Sequence, residues 1–154
     1  MSITHDYEVS LNWLSDRKGI LGSPELNSNI EVATPPEFPK GMPGIWSPEH
    51  LLVAAVSSCL MTTFLAIAEN SKLSFQNFSC NASGKLEMVD GKYLITEIML
   101  MPIVSLVDNN EKEKAEIILQ KAEANCLISN SLLIFVKPFQ LFLFHYCQLM
   151  KLSA

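Results

Sequence analysis

Positive charge is scarce in this chain of 154 residues, because Arg17 is the only arginine beside ten lysines. Acidic residues outnumber basic ones by 16 to 11, which gives a formal net charge of −5. Such a chain is a poor partner for nucleic acids and for anionic membrane surfaces. Charged residues make up only 18% and hydrophobic residues 49%, a balance that excludes intrinsic disorder. It also leaves little polar surface to cover a monomer, which indicates a buried subunit interface.

Cysteine and histidine are also few, and their spacing excludes several kinds of site. Four cysteines are too few for a disulfide scaffold of this length, and none of them forms a CxxC pair. The three histidines are scattered, so the sequence predicts no metal site and no cofactor. The first ten residues lack the basic start and apolar stretch of a signal peptide, and we expect a cytoplasmic protein.

One long uncharged segment, Leu51 to Ala68, reaches the lower limit of membrane-spanning length. Glu49, His50 and Glu69 flank it, whereas real spans carry basic flanking residues. We therefore predict a core helix and not a transmembrane one. Ser47, Pro48 and Glu49 form a strong helix start, and the helix should run to about Asn70. Since it is apolar almost all round, it should be buried on nearly every side, which again favours a dimer.

The remaining segments predict an α+β protein with a single domain over residues 1–154. Alternation of Tyr7, Val9, Leu11 and Trp13 indicates a half-buried first strand, followed by a hairpin turn at 16–19 in which Gly19 supplies the backbone freedom. The other predicted elements are a return strand from Ile20, a strand at 29–33, strands at 73–86 and 92–105, a helix from Asp108 to about Asn125, and strands at 132–136 and 139–146. Without the last of these strands, whose existence the sequence leaves open, the order is β-β-β-α-β-β-α-β.

Two cysteines could carry chemistry, although from spacing alone a small packing residue is the simpler explanation of each. Cys59 lies in the middle of the long helix, where the helix dipole cannot lower its pKa. If Cys59 reacts, another positive group must therefore stabilise its thiolate. Cys126 follows the second helix, and its alternative role is that of a resolving thiol.

Arg17 and Glu49 also have two possible roles. Arg17 is most simply a solvated side chain in a turn, but a guanidinium keeps its charge when buried and can face a carboxylate or a thiolate. Glu49 is most simply a helix-start residue, but it could hold a guanidinium through a bidentate pair.

The segment from Gly44 to Cys59, GIWSPEHLLVAAVSSC, resembles the first signature of the OsmC/Ohr family, the osmotically inducible and organic hydroperoxide resistance proteins. The segment from Ala122 to Ser131, AEANCLISNS, resembles the second signature. Arg17 stands where the family carries its functional arginine. One departure is Leu127, since many members have proline directly after the second cysteine.

The resemblance implies an OsmC-like fold, in which a long buried central helix packs against antiparallel β-sheets of an intertwined homodimer with active sites at the dimer interface. It further implies that Cys59 is the peroxidatic cysteine, that Cys126 resolves it as a disulfide, that Arg17 stabilises the thiolate and that Glu49 positions Arg17. The implied reaction reduces organic hydroperoxides to alcohols, with a dithiol of the lipoyl type as reductant. Trp46, Phe38 and Met42 are expected to line an apolar substrate pocket.

Two other functions are compatible with the same residues. The interface pocket could hold a small apolar ligand or an acyl group without turnover. Alternatively, oxidation of the cysteines could change binding to another protein, as in a redox-sensing stress protein.

Overall fold

The computed structural model describes residues 3–132, 135–137 and 142–144 of the chain. By its internal contacts the chain divides into two compact units, Met1–Leu51 and Leu52–Ala154. The single domain expected over residues 1–154 stays a prediction.

The first unit contains a three-stranded antiparallel sheet in the order β1-β2-β3. Its strands are β1 (Ser10–Ser15), β2 (Lys18–Gly22) and β3 (Ile30–Ala33). The β1–β2 turn was expected to depend on Gly19, but that glycine lies within β2, opposite Trp13. Asp16 takes the left-handed conformation instead, with a φ of 46°. Aspartate tolerates this conformation because its short side chain can bond locally.

The first strand is shorter and more exposed than the alternation predicted. It begins at Ser10, not near residue 5, and all six of its residues are exposed. Tyr7, Val9, Leu11 and Trp13, which were expected to be half-buried, are 63–86% exposed. The physical reason is that β1 is one of the two edge strands of a small sheet, and the unit to which it belongs holds only the first turn of a helix that could cover a face.

The bounds of the long helix agree closely with their prediction, but the helix is not buried on nearly every side as expected, since the single chain leaves residues such as Met61 and Leu65 exposed. Helix α1 runs over Pro48–Asn70, and the Ser47 hydroxyl accepts a hydrogen bond from the His50 backbone N–H at 3.3 Å. Its buried positions are Val56, Cys59, Leu60, Phe64 and Ala68. On length and composition alone α1 could cross a membrane, but the core helix of a soluble protein satisfies the same test. Its assignment as a core helix that does not span a membrane stays a prediction.

Two long strands form the framework of the second unit. Strand β4 (Phe75–Val89) and strand β5 (Lys92–Leu106) form an antiparallel hairpin. Asp90 and Gly91 make its turn with φ angles of 48° and 77°, as the Asp-Gly pair predicts.

Two short strands, β6 (Phe135–Lys137) and β7 (Phe142–Phe144), pair with β5 in parallel, so this sheet is not wholly antiparallel. They fall within the predicted strands at 132–136 and 139–146, the rest of which lies largely outside the described residues.

The second helical region is more broken than the sequence predicts. A 3₁₀ turn at Asn109–Glu111 precedes α2 (Lys112–Ala124), and a short helix α3 (Leu127–Ser131) follows it. The apolar stripe expected on α2 is buried and joins the core of α1 and β5. Helix α3 was not predicted, and Cys126 is the residue that directly precedes it.

Candidate functional site

Cys59 lies on the buried side of α1, and only 7% of it is exposed. Val56 and Leu60, on either side of it along the helix, are fully buried core residues. The Thr62 hydroxyl bonds the Cys59 carbonyl oxygen at 3.1 Å, so this polar group is satisfied inside the helix. Helix packing therefore fixes the Cys59 backbone, and its thiol lies at the edge of the core.

Cys126 owes its position to the break between α2 and α3. Its backbone is extended, with φ −67° and ψ 105°, and it forms the N-terminal cap position of α3. Its N–H donates to the Glu123 carbonyl at 3.1 Å, which anchors it to the last turn of α2. The Ser129 hydroxyl donates to its Sγ at 3.0 Å. Only 1% of Cys126 is exposed, so the serine and not water solvates this sulfur.

The fold brings the two thiols together. Burial raises the pKa of Cys59, but a hydrogen-bond interaction with the Cys126 side chain opposes it, and the backbone of Ile128, the Thr63 hydroxyl and the backbone of Leu127 act in the same direction. The net result is a pKa below the ordinary value of a cysteine. Donors that surround a sulfur favour its charged form. Cys59 is therefore the thiol of this pair that ionises first.

For Cys126 the contributions that raise the pKa outweigh those that lower it. Burial raises its pKa, the interaction with Cys59 raises it further, and the Ser129 hydroxyl lowers it only in part. Two close thiols cannot both ionise easily, so one becomes the thiolate and the other its hydrogen-bond donor. This division of roles is what an attacking and a resolving cysteine require.

In the first unit, Arg17 and Glu49 line one cavity of about 560 Å³. The β1–β2 turn positions Arg17, whose carbonyl accepts a hydrogen bond from the Thr34 N–H at 3.2 Å. Glu49 lies in the first turn of α1. The other lining residues are mostly apolar: Leu11, Trp13, Lys18, Gly19, Val32, Ala33, Thr34, Pro35, Phe38 and Pro48. A cavity of this size suits a small apolar molecule with one polar end.

Arg17 and Glu49 form no salt bridge with each other in the described part of the chain. The adjacent Lys18 is held by Glu31 at 3.0 Å, whereas the Arg17 side chain is exposed. The Glu49 Oε2 atom is buried and has no hydrogen-bond partner among the described residues. A buried carboxylate oxygen without a partner is costly, so a donor is needed at this end of the cavity.

The family model described as OsmC-like protein matches residues 41–138. This match covers Cys59, Cys126 and all the elements from α1 to β6. The chain belongs to the OsmC-like protein family.

Three relatives show what this OsmC-like protein is similar to. It is 24% identical over 136 residues to the uncharacterized protein YmaD of Bacillus subtilis, covering 83% of this chain and 87% of YmaD. The OsmC-like protein of unknown function VCA0330 from Vibrio cholerae has a TM-score of 0.78 at 24% identity, over 90% of this chain and 100% of that one. An organic hydroperoxide resistance protein, OsmC, from Legionella pneumophila has a TM-score of 0.72 at 20% identity, over 92% and 98% of the two chains.

The family match confirms the predicted family, and these likenesses confirm the OsmC-like fold. At such identities they show the fold alone. The intertwined homodimer, the reductant and the cytoplasmic location stay predictions.

The OsmC-like protein contains polar groups beside its thiols that sequence reasoning did not find. Thr63 lies four residues after Cys59, a spacing that places both on one face of a helix and could have indicated the contact. Ser129 belongs to the C-x-x-S pattern, but its role depends on α3, which has no clear helical signal in the sequence. The backbone groups of Leu127 and Ile128 depend on the same short helix.

The remaining predicted features of the OsmC-like protein have mixed outcomes. Phe38 lines the cavity with Arg17, whereas Trp46 lines a separate, smaller cavity of about 300 Å³. Trp46 also packs edge-on against His50, whose Nδ1 atom lies 2.8 Å from the Ser47 hydroxyl. Over the described residues, no group of three or more His, Cys, Asp or Glu side chains could hold a metal ion.

Proposed function

We propose that this OsmC-like protein is a thiol-dependent peroxidase that reduces organic hydroperoxides to alcohols, with Cys59 as the attacking and Cys126 as the resolving cysteine. The observation that carries the proposal is the close pair of free, buried thiols, in which the surroundings lower the pKa of Cys59 and raise the pKa of Cys126. The family includes proteins named for organic hydroperoxide resistance, which supports the same reaction class.

The reaction has two balanced steps. In the first, the Cys59 thiolate attacks the distal oxygen of ROOH, so that an S–O bond forms and the O–O bond breaks. The alkoxide takes a proton and leaves as ROH, and Cys59 becomes a sulfenic acid. In the second, the Cys126 sulfur attacks Cys59 Sγ, an S–S bond forms and the S–O bond breaks. The hydroxide takes the proton from Cys126 and leaves as water.

The apolar cavity of the first unit supports a preference for alkyl over hydrogen peroxide. Its walls are mainly apolar, whereas hydrogen peroxide offers no apolar surface to bury. We extend the proposal to Arg17 as a stabiliser of anionic species and to Glu49 as the carboxylate that positions it. The unpartnered Glu49 oxygen supports a guanidinium partner during the reaction cycle.

A dithiol, such as a lipoyl group, would return the Cys59–Cys126 disulfide to the reduced state. We place the reaction in the cytoplasm, where thiols are kept reduced.

We also propose that the active form is a homodimer. The apolar side chains that α1 leaves exposed, Met61 at 37% and Leu65 at 39%, support a second copy as the cover of this face. Size-exclusion chromatography with light scattering should give a mass near twice 17.2 kDa. Leu65→Glu should shift it toward the monomer, because a buried unpaired carboxylate at an interface is costly. A monomeric wild-type chain would refute the dimer.

The function is tested by counting thiols with mass spectrometry before and after one equivalent of cumene hydroperoxide. We expect a mapped Cys59–Cys126 disulfide and the loss of one equivalent of peroxide. Cys59→Ser should consume no peroxide, whereas the matched control Cys80→Ser should behave as wild type, because Cys80 lies in β4 as a separate free thiol.

Hydrogen peroxide, tested in parallel, should react more slowly than cumene hydroperoxide. If Cys59 and Cys126 both stay reduced while cumene hydroperoxide persists, the peroxidase proposal is wrong. Apolar ligands that bind equally to wild type and Cys59→Ser would then favour a binding module.

A further inference from the structure

We propose that Ser129 is a positioning residue for the second half of the reaction, whose hydroxyl orients and activates the Cys126 sulfur for its attack on oxidised Cys59. The inference rests on the proposed peroxidase function and assigns a step within it to a residue outside the cysteine pair.

The Ser129 hydroxyl departs from the usual behaviour of helical serines in this chain. Serine and threonine hydroxyls inside helices commonly bond the carbonyl three or four residues earlier. Ser57, Ser58, Thr62 and Ser131 all do so, at 2.7–3.2 Å. Ser129 instead donates to the side chain of the residue three positions earlier, the Cys126 Sγ, at 3.0 Å.

The backbone explains why this hydroxyl is available to the sulfur. The Asn130 N–H bonds the Cys126 carbonyl at 3.0 Å, which starts the intrahelical bonds of α3. Cys126 is the extended cap residue of α3 and Ser129 lies in the first turn, so the side chains of these two residues meet on one side. Cys126 is 1% exposed and Ser129 is half-buried, so bulk water has little access to the sulfur at this contact.

The contact matters at one step of the cycle. Before oxidation, Cys126 acts as a donor toward Cys59 and has to keep its proton. Afterwards it must lose this proton to attack the Cys59 sulfenic acid, although burial raises the pKa of the Cys126 thiol. A hydroxyl that donates to the sulfur stabilises the developing thiolate and holds it in line.

Delay at this step has a chemical consequence. A second hydroperoxide molecule can oxidise the waiting Cys59 sulfenic acid to a sulfinic acid, releasing a second ROH. The resolving rate therefore sets the partition between the recoverable disulfide and the inactivated sulfinic acid. Ser129 should protect the enzyme against inactivation at high peroxide without being needed for the first attack.

The test compares Ser129→Ala with the matched control Ser131→Ala, which removes a hydroxyl from the same short helix. Rapid-quench samples after cumene hydroperoxide addition are analysed by peptide mass spectrometry for sulfenic acid, disulfide and sulfinic acid at Cys59. We expect Ser129→Ala to slow disulfide formation about tenfold, the low end for the loss of a hydrogen bond to a charged group. Sulfenic acid formation should change less than threefold, and the sulfinic fraction should rise under excess peroxide.

A second pair of variants guards against a folding effect. Ser129→Thr and Ser129→Val have nearly the same shape and differ in a hydroxyl against a methyl, so the threonine variant should restore fast resolution and the valine variant should not. Equal disulfide rates in the threonine and valine variants, with a wild type that forms the disulfide, would overturn the inference and leave the peroxidase function intact. A wild type that forms no disulfide would overturn both.

Discussion

Replacing Leu127 by proline should raise the pKa of Cys59 by removing one backbone N–H from its surroundings. The Leu127 backbone contributes to the lowered pKa of this thiol, and proline has no N–H to donate. The same position carries proline in many proteins that the chain resembles, so the exchange also tests what this departure does.

The structure predicts that the proline variant folds normally. Leu127 is the first residue of α3, where proline is favoured and no intrahelical bond is lost. Cys126 already has the extended backbone that a residue before proline requires. The Leu127 side chain is 65% exposed, so little apolar burial is lost. The effect should therefore be confined to the electrostatics of the thiol.

The size of the expected pKa change follows from the free energy that one hydrogen bond to a charged group contributes. Such bonds contribute about 1.5–3 kcal/mol, and the Leu127 backbone makes the smallest of the four contributions that lower the pKa. We therefore expect a loss of about 1 kcal/mol, or roughly a fivefold smaller thiolate population at a pH below the Cys59 pKa. At a pH well above it, the thiol is ionised in both proteins and the difference should vanish.

The assay is the rate of Cys59 alkylation by iodoacetamide across pH, followed on the Cys59 peptide by mass spectrometry. Leu127→Pro should shift the profile to higher pH, and Leu127→Ala, which retains the N–H, should leave it in place. A proline profile that coincides with wild type would refute the role of this amide. So would a shift of equal size in the alanine variant.

Three further substitutions test other contacts. Thr63→Val should slow Cys59 alkylation near neutral pH about fivefold, because it removes a hydroxyl that lowers the Cys59 pKa. Thr62→Val should not slow it, since the Thr62 hydroxyl bonds only a carbonyl. Equal alkylation rates in the two variants would contradict this assignment. Phe64→Ala should lower the free energy of unfolding in urea by about 3–5 kcal/mol, since this fully buried ring packs on two neighbouring rings; a loss below about 1 kcal/mol would contradict the packing. Gly84→Ala should cost about 1–3 kcal/mol because its Cβ would lie 2.7 Å from Val53 Cγ2, and Val53→Ala in the same chain should recover part of that loss; a double variant as unstable as the single one would refute the clash.

Much of the fold could be predicted from local patterns. The start of α1 at Ser47-Pro48-Glu49 depends on capping chemistry between adjacent residues, and the Asp90-Gly91 turn depends on two backbone conformations. Prediction was less accurate where contacts between residues distant in sequence determine the local conformation. The turn before β2 uses Asp16 and not Gly19, since strand pairing places the glycine opposite Trp13.

Burial of the first strand was a different kind of error. Alternation reports which side chains could share an apolar face, but it does not say what covers that face. In the part of the chain that the structure describes, all six residues of β1 are exposed.

The sequence by itself determined the family, the long apolar helix and the residue types able to do thiol chemistry, because these depend on motifs and on local chemistry. Only the tertiary structure decided that the pKa values of the Cys59 and Cys126 thiols shift in opposite directions. Cys59 lies in the middle of a helix whose own dipole cannot help it, and the donors that lower its pKa come largely from the separate segment around Cys126 and α3. Such donors are distant along the chain, and only packing makes them neighbours. For the same reason, the Ser129 hydroxyl meets the Cys126 sulfur only because α3 turns it in that direction.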